Sequence, residues 1–236
     1  MIRSIFQRRS GTWYLLLATL VLLYSGCASE TYFHANFEGN TVGQPPLSTQ
    51  KVGTVQKDGP AGSVIVVNLS PELPGNWVKV TRSENATSVS GLQGTLKQFG
   101  GVGEYVFTAT MHIPSESKVV TIQFEPHNQA VNQYANFLHI DFLENNKVRI
   151  NDNDATTFGV FPRDKPFIVQ VTLNIGSSVS TAKITLSGAE ASGEANHTIS
   201  PNGLAPQFGN IRLWMGFPWT GHFHATNIVV RKNDED

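Results

Sequence analysis

After residue 30 the chain is dominated by short segments in which apolar and polar residues alternate. Such segments lie at residues 105–113, 119–125, 136–143, 167–175, 211–217 and 223–230. Because successive side chains of a strand point to opposite faces, this period of two predicts strands with one buried face. Clusters of Gly, Pro, Asn and Asp separate the segments, and residues 144–147 are predicted to form a hairpin turn. The pattern predicts an all-β protein, an antiparallel two-sheet β-sandwich or jelly roll.

The alternation also predicts which side chains face the core. In the segment 136–143, Ile140 and Phe142 are expected between the sheets. Phe137, His139 and Asp141 are expected on the opposite side, facing solvent or a groove. As an exposed substitution, Asp141→Asn is then expected to change stability by only about half a kcal/mol.

Composition narrows the class of protein. The chain has 236 residues, of which 40% are hydrophobic and 15% charged, with 17 basic and 18 acidic side chains. Such a low and balanced charge argues against a nucleic-acid partner, because binding phosphates requires a clustered basic surface. No linker divides residues 31–232, so one β-sandwich domain is predicted over residues 33–232, followed by an acidic tail at 233–236.

The N-terminus has the pattern of an export signal. Three arginines, at positions 3, 8 and 9, precede an apolar run at residues 13–24. This run is shorter than the about 20 residues that a membrane-spanning helix needs. The only cysteine of the chain, Cys27, follows directly after Ser25 and Gly26. A single cysteine excludes any intramolecular disulfide.

Small residues before a lone cysteine resemble a bacterial lipobox. The resemblance implies a signal peptide at residues 1–26, acylation of Cys27 by diacylglycerol and palmitate, and a lipidated tether at 27–32. The acyl chains would be the contact with the lipid bilayer. Ala28 and Ser29 follow the cysteine with no Asp in the second position, which would favour retention in the inner membrane, so the resemblance implies the outer membrane of the cell envelope. The alternative is an ordinary signal peptide with an incidental cysteine.

Both ends of the predicted domain resemble concanavalin A-like jelly rolls of the laminin-G and glucanase type. Residues 35–43 read Ala-Asn-Phe-Glu-Gly-Asn-Thr-Val-Gly, as in the first strand and turn of those modules. Residues 209–216 and 221–230 resemble their last two strands. The resemblance implies the same sandwich fold, and in some modules a structural calcium, for which Glu38 and Asn227 are the corresponding candidates. No other cofactor is predicted.

Retaining glucanases of this superfamily carry Glu-x-Asp-x-x-Glu on one strand. The corresponding residues here are His139, Asp141 and Glu144. Histidine cannot form the glycosyl ester that a retaining mechanism requires, and Glu144 shares a face with Asp141 only if the strand bulges. An enzyme of this superfamily, a glycoside hydrolase or polysaccharide lyase, remains the alternative, with Glu125, His139 and Asp141 as acid/base candidates.

A carbohydrate-binding groove is the leading hypothesis for the polar sides of these strands. If three of the strands share a sheet, an aromatic and hydrogen-bonding surface results, because aromatic faces stack on sugars while polar groups bond hydroxyls. The predicted groove consists of Gln123, Glu125, Phe137, His139, Asp141, Arg212 and Trp214. The alternative is that the strands lie in different sheets and that Trp214 is a core residue.

Two further patterns suggest metal binding. His222 and His224 are two apart, so on a strand they point the same way and can bind zinc, although a third ligand is not evident. Residues 151–154 read Asn-Asp-Asn-Asp but lack the Gly and Glu of a calcium loop, so a turn is predicted there. The sequence therefore favours a lipid-anchored, non-catalytic module that binds a glycan or another envelope component. A purely structural partner in an envelope complex is a third possibility.

Overall fold

A computed structural model describes residues 29–126, 137–199 and 207–233, and these residues form fifteen β-strands without any α-helix. The strands are β1 (Ser29–Ala35), β2 (Thr54–Asp58), β3 (Val64–Val67), β4 (Trp77–Arg82), β5 (Ser90–Gly100), β6 (Gly103–His112), β7 (Val120–Pro126), β8 (Leu138–Phe142), β9 (Lys147–Ile150), β10 (Asn153–Val160), β11 (Pro166–Ile175), β12 (Ser180–Ser187), β13 (Gly193–Ile199), β14 (Phe208–Met215) and β15 (Gly221–Asn233).

The strands form two antiparallel sheets. The eight-stranded sheet has the order β13-β12-β11-β6-β15-β4-β3, and β1 pairs with β15 as its eighth strand. The seven-stranded sheet has the order β10-β9-β8-β7-β14-β5-β2. Strands that are distant in sequence thus become neighbours, as β7 and β14 do. The predicted all-β, two-sheet sandwich is confirmed.

The core lies between the two sheets and is built from one face of each. Ile140 and Phe142 of the seven-stranded sheet are fully buried, as their alternation predicts. Phe107 of the eight-stranded sheet contacts Phe124 of the seven-stranded sheet edge to face, with ring centroids 5.2 Å apart. Such aromatic pairs add about 0.5–1.5 kcal/mol beyond their buried area. The period-two pattern therefore identified the core faces correctly.

Both turns predicted in the centre of the chain are present, with shifted or shorter bounds. Residues 143–146 connect β8 to β9, where 144–147 was predicted, and Asn146 has a φ of 64°. Asn151 and Asp152 connect β9 to β10 with φ values of 52° and 54°. Positive φ at both central residues is the geometry of a tight hairpin turn, and Asn and Asp tolerate it well.

The ends of the domain differ slightly from the prediction. β1 starts at Ser29, inside the segment 27–32 that was predicted as a tether, and β15 continues to Asn233. Residues 1–26 and Cys27 lie outside the described residues, so the signal peptide and the lipid anchor stay predictions. Within the described part of the chain, no helix has the length and apolar character needed to cross a membrane.

Candidate functional site

The strands that carry the predicted groove residues are neighbours in the seven-stranded sheet. Across β14, β7 and β8, Arg212 lies opposite Gln123, which lies opposite His139. In the next row Trp214 lies opposite Thr121, which lies opposite Asp141. These side chains alternate with core residues and therefore point away from the core. We call the resulting surface the polar face; it consists of Thr121, Gln123, Glu125, His139, Asp141, Arg149, Arg212 and Trp214.

Phe137 is the one predicted groove residue that the structure places elsewhere. It precedes β8, which starts at Leu138, so the alternation within the strand does not extend to it. Its ring packs against the core rings of Phe124 and Phe208, with centroids 6.5 Å and 5.8 Å away. Phe137 was predicted to line a groove, whereas its partly buried ring packs against the core cluster, a contact that removes apolar surface from water.

Asp141 points away from the core but is not exposed, which corrects the second expectation. Its accessible fraction is 3%. Thr121 Oγ1 donates to Asp141 Oδ1 at 2.7 Å, and Arg149 Nε donates to Oδ2 at 3.0 Å. Burial raises the pKa of Asp141, while the hydrogen bond from Thr121, the nearby His139 and Arg149 act against this rise. Asp141 is thus a buried, partnered carboxyl group.

Arg149 is the residue that sequence reasoning missed. Its Nε, Nη2 and Nη1 groups donate to Asp141, Asp152 and Asp154, at 3.0, 2.9 and 3.0 Å respectively. Three carboxylates therefore surround one guanidinium group, and each of its three nitrogens donates a hydrogen bond to one of them. The available signal was the predicted turn after β8, since a hairpin there brings Arg149 opposite Asp141.

The same hairpin contains a group of residues with metal-ligand spacing. His139 Nε2 lies 3.2 Å from Asp152 Oδ2 and 3.9 Å from Asp141 Oδ2. Among the described residues this is the one group of three His, Cys, Asp or Glu side chains with ligand atoms within 4.8 Å of one another. A cation there would compete with Arg149, which already binds both carboxylates.

Three candidate residues lie outside the polar face: Glu38 and Asn227 for calcium, and Glu144 for a retaining mechanism. Glu38 and Asn227 are both exposed, in the turn after β1 and within β15. Glu144 is exposed in the turn after β8 and pairs with Lys118, so it does not join Asp141 on the polar face. The carboxylate pair of a retaining glucanase is therefore not formed by Asp141 and Glu144. Glu125, the remaining acid candidate, accepts a hydrogen bond from Gln123 Nε2 at 2.7 Å.

Trp214 and Arg212 form the aromatic part of the polar face. The Arg212 guanidinium lies over the Trp214 ring, 5.2 Å from its centroid, and Arg212 Nη2 donates to Asp58 at 2.7 Å. Glycine is required beside this indole, because a Cβ at Gly91 would lie 2.7 Å from Trp214 Cβ and one at Gly216 would lie 2.6 Å from Trp214 Cζ3. The backbone thus approaches Trp214 closely from two sides and holds its ring.

Two buried nitrogens of the polar face lack a hydrogen-bond partner. They are Arg212 Nε and Trp214 Nε1, among the few such buried side-chain atoms in the described residues. An unpaired buried donor costs about 1–3 kcal/mol. Two of them on one face are unusual for a surface that serves stability alone.

The fold is an antiparallel two-sheet β-sandwich, and other solved structures share it. No protein-family model matches the sequence, and no curated protein matches it. Lectin I from Ulex europaeus, solved in complex with the methyl glycoside of α-L-fucose, superposes with a TM-score of 0.50 at 10% identity, over 89% of this chain and 99% of the lectin. A protein of unknown function from Shewanella oneidensis MR-1 superposes with a TM-score of 0.53 at 13% identity, over 98% of this chain and 96% of that protein. At these identities the similarity shows the fold alone.

Proposed function

We propose that the polar face binds carbohydrate and that the protein is a non-catalytic glycan-binding module. The observation that carries the proposal is the partly exposed indole of Trp214 on the polar face, with the partly exposed Arg212 beside it. An indole ring offers a surface for the apolar face of a sugar, and polar side chains beside it can bond its hydroxyl groups.

The arrangement supports recognition more than catalysis. Asp141 is occupied by Thr121 and Arg149, and Glu125 by Gln123. A general acid or base must reach the proton that it transfers, and these carboxyl groups are already engaged by neighbours. The sandwich is also shared with a sugar-bound lectin, which supports a carbohydrate ligand at the level of the fold.

The predicted lipid anchor supplies the cellular setting of this proposal. Acylated Cys27 would hold the module at the envelope, where a glycan or another envelope component is its ligand. After removal of residues 1–26 the chain would keep 14 of its 17 basic residues against 18 acidic ones, a net charge of −4. Without a polybasic patch, the acyl chains must supply the membrane attachment.

The ligand is tested with a glycan array probed by the chain lacking the signal and anchor. We expect binding that Trp214→Ala and Arg212→Ala each weaken at least tenfold. The matched control is Phe99→Ala, which removes a half-exposed aromatic side chain at the end of β5 and should leave binding unchanged. Equal loss in the control, or no loss in the Trp214 variant, would contradict the proposed site.

A second measurement separates a binder from an enzyme. Glycans that bind are incubated with the wild-type protein, and newly released reducing ends are quantified. We expect none. Release that Asp141→Asn or Glu125→Gln abolishes would instead support the enzymatic alternative.

The anchor is tested independently by radiolabelled palmitate in cells. Cys27→Ser is expected to abolish labelling and to leave the chain unprocessed or released from membranes, whereas Ser25→Ala should preserve both. Unchanged labelling of the Cys27 variant would remove the lipoprotein assignment.

A further inference from the structure

A second cluster of histidines lies on the other sheet, at the outer surface of β6 and β15. His224 pairs directly with His112 across these strands, and the two Nδ1 atoms are 3.2 Å apart. His222 lies two residues before His224, and the centroids of these two rings are 5.0 Å apart. The third histidine that the sequence did not reveal is therefore His112, 112 positions away from His224 along the chain.

The distance between the two Nδ1 atoms suits a shared metal ion. Zinc–histidine bonds are about 2.0–2.1 Å, so two ligand nitrogens of a tetrahedral ion lie about 3.3 Å apart. The pair is already close to this separation without rearrangement. Without a metal ion, the Nδ1–H of one ring must donate a hydrogen bond to the Nδ1 of the other, and a metal ion would take the place of that hydrogen.

His222 and Glu116 are positioned to complete such a site. The His222 side chain is 22% exposed and its Nδ1 lies 3.6 Å from Glu116 Oε1. A partly exposed imidazole at the edge of the cluster has room to turn its ring towards the pair. A carboxylate beside a metal-binding imidazole either orients it or serves as the fourth ligand.

The surrounding charges are mixed. Lys79 of β4 lies opposite His224 and its positive charge acts on that imidazole, whereas Glu116 contributes a negative charge beside His222. His224 itself is 5% exposed, which keeps its imidazole in the neutral form that binds metals. Lys79 should therefore weaken cation binding without preventing it.

We propose that His112, His224 and His222 bind one divalent transition-metal ion, with Glu116 as a neighbouring carboxylate. Imidazole ligands suit zinc, copper(II) and nickel, and a site of three histidines is typical of zinc. The site lies on the eight-stranded sheet, so it is separate from the polar face and independent of the proposed carbohydrate ligand.

The experiment uses the full chain in detergent, without a histidine tag, after removal of metals by a chelator. Zinc is titrated by calorimetry, and cobalt(II) is added as a spectroscopic substitute whose visible bands report tetrahedral coordination. We expect one ion per chain, with affinity reduced at least tenfold by His112→Gln and by His224→Gln. A smaller loss is expected for His222→Gln.

Matched controls locate the ion. His34→Gln and His197→Gln remove histidines outside the cluster and should bind zinc as the wild type does. Asp152→Asn removes a residue of the other candidate cluster and should also have no effect. Loss of binding in the Asp152 variant, with retention in the His112 variant, would overturn the proposal, as would absence of binding at millimolar zinc.

A gain-of-affinity variant keeps the test decisive if a buried histidine variant fails to fold. Lys79→Gln removes the positive charge beside His224 and should tighten zinc binding several-fold. Lys183→Gln, a lysine on β12 of the same sheet, is the control and should leave affinity unchanged. Equal affinity in the Lys79 and Lys183 variants would contradict an ion at His224.

Discussion

The outward-facing residues of β7 and β8 differ sharply in burial from those of β11, although all three strands follow the same alternation. On the seven-stranded sheet, Thr121, Gln123 and Asp141 point away from the core and are nevertheless at most 7% exposed. On β11 of the eight-stranded sheet, Gln170 and Asn174 also point away from the core and are exposed. The period of two therefore determines the side on which a residue lies, whereas its burial depends on neighbours from other strands.

Long side chains and one hairpin account for the difference. Arg149 reaches Asp141 from the neighbouring strand, and the turn at Asn151 and Asp152 adds a second carboxylate to Arg149. Burying a polar group costs free energy unless the group is hydrogen-bonded, so the burial of this surface has a desolvation cost. A surface with both paired and unpaired buried polar groups is better explained by binding than by stability.

The largest expected effect concerns the core under the polar face. Phe142→Ala should lower the free energy of unfolding by about 3–5 kcal/mol, because it leaves a cavity among rings that include Phe161 and Phe167. Urea denaturation of the chain lacking the signal and anchor measures this loss. A change below 1 kcal/mol would mean that Phe142 does not lie in a tightly packed core.

Asp141→Asn tests whether the buried hydrogen bonds of the polar face contribute to the free energy of unfolding. We expect a loss of about 1.5–3 kcal/mol, because the substitution removes a charge that accepts hydrogen bonds from Thr121 and Arg149. This value replaces the half kcal/mol expected for an exposed residue. The same urea denaturation applies, and a loss within half a kcal/mol would show that solvent screens the pair.

His224 of the eight-stranded sheet is predicted to make stability depend on pH. Burial, followed by the charges of His222, His112 and Lys79, lowers the pKa of His224 to about 3. Below the ordinary value of 6.5 the unfolded chain takes up a proton that the folded chain does not. Stability is therefore present above pH 6.5 and is lost as the pH falls towards 3, by about 2 kcal/mol between pH 7 and 5.

This dependence is isolated by comparing urea midpoints of the wild type and His224→Gln at pH 7, 6 and 5, with a chelator present. Burial also lowers the pKa values of His34, His197 and His222. Since these groups contribute to both proteins, the difference in slope reports His224. Parallel slopes would contradict a buried neutral His224.

The smallest effect is expected on the exposed part of the eight-stranded sheet. Gln170→Ala should change the free energy of unfolding by no more than about half a kcal/mol, as other exposed substitutions do. It is the counterpart of Asp141→Asn, since both residues point outward from a central part of their sheet. Similar losses in the two variants would remove the distinction between the two surfaces.

Much of the fold could be predicted from local pattern alone. The inward positions of Ile140 and Phe142, the turn between β8 and β9 and the class of two antiparallel sheets all follow from alternation and turn residues. Phe137 was misplaced because alternation holds only within a strand, and β8 begins one residue later.

The partners of the outward residues could not be predicted in the same way. Arg149 contacts Asp141 because of the register between β8 and β9. A turn position that is uncertain by one residue leaves that register undetermined. His112 meets His224 through a pairing of distant strands that no local pattern indicates. Register and long-range pairing thus determine the sites, whereas local pattern determines the faces.

The antiparallel pairing of β1 with β15 places the histidine cluster at the far end of β15 from the start of β1. Ser29, two residues after Cys27, lies opposite Asn233, the last residue of β15. The first residue of this 13-residue strand is Gly221, at its other end. At about 3.3 Å per residue, Gly221 is roughly 40 Å from the Asn233 end. If Cys27 carries the acyl chains, the anchor lies two residues before the start of β1. The histidine cluster and the exposed Phe217 would then lie at the opposite end of β15 from the anchor.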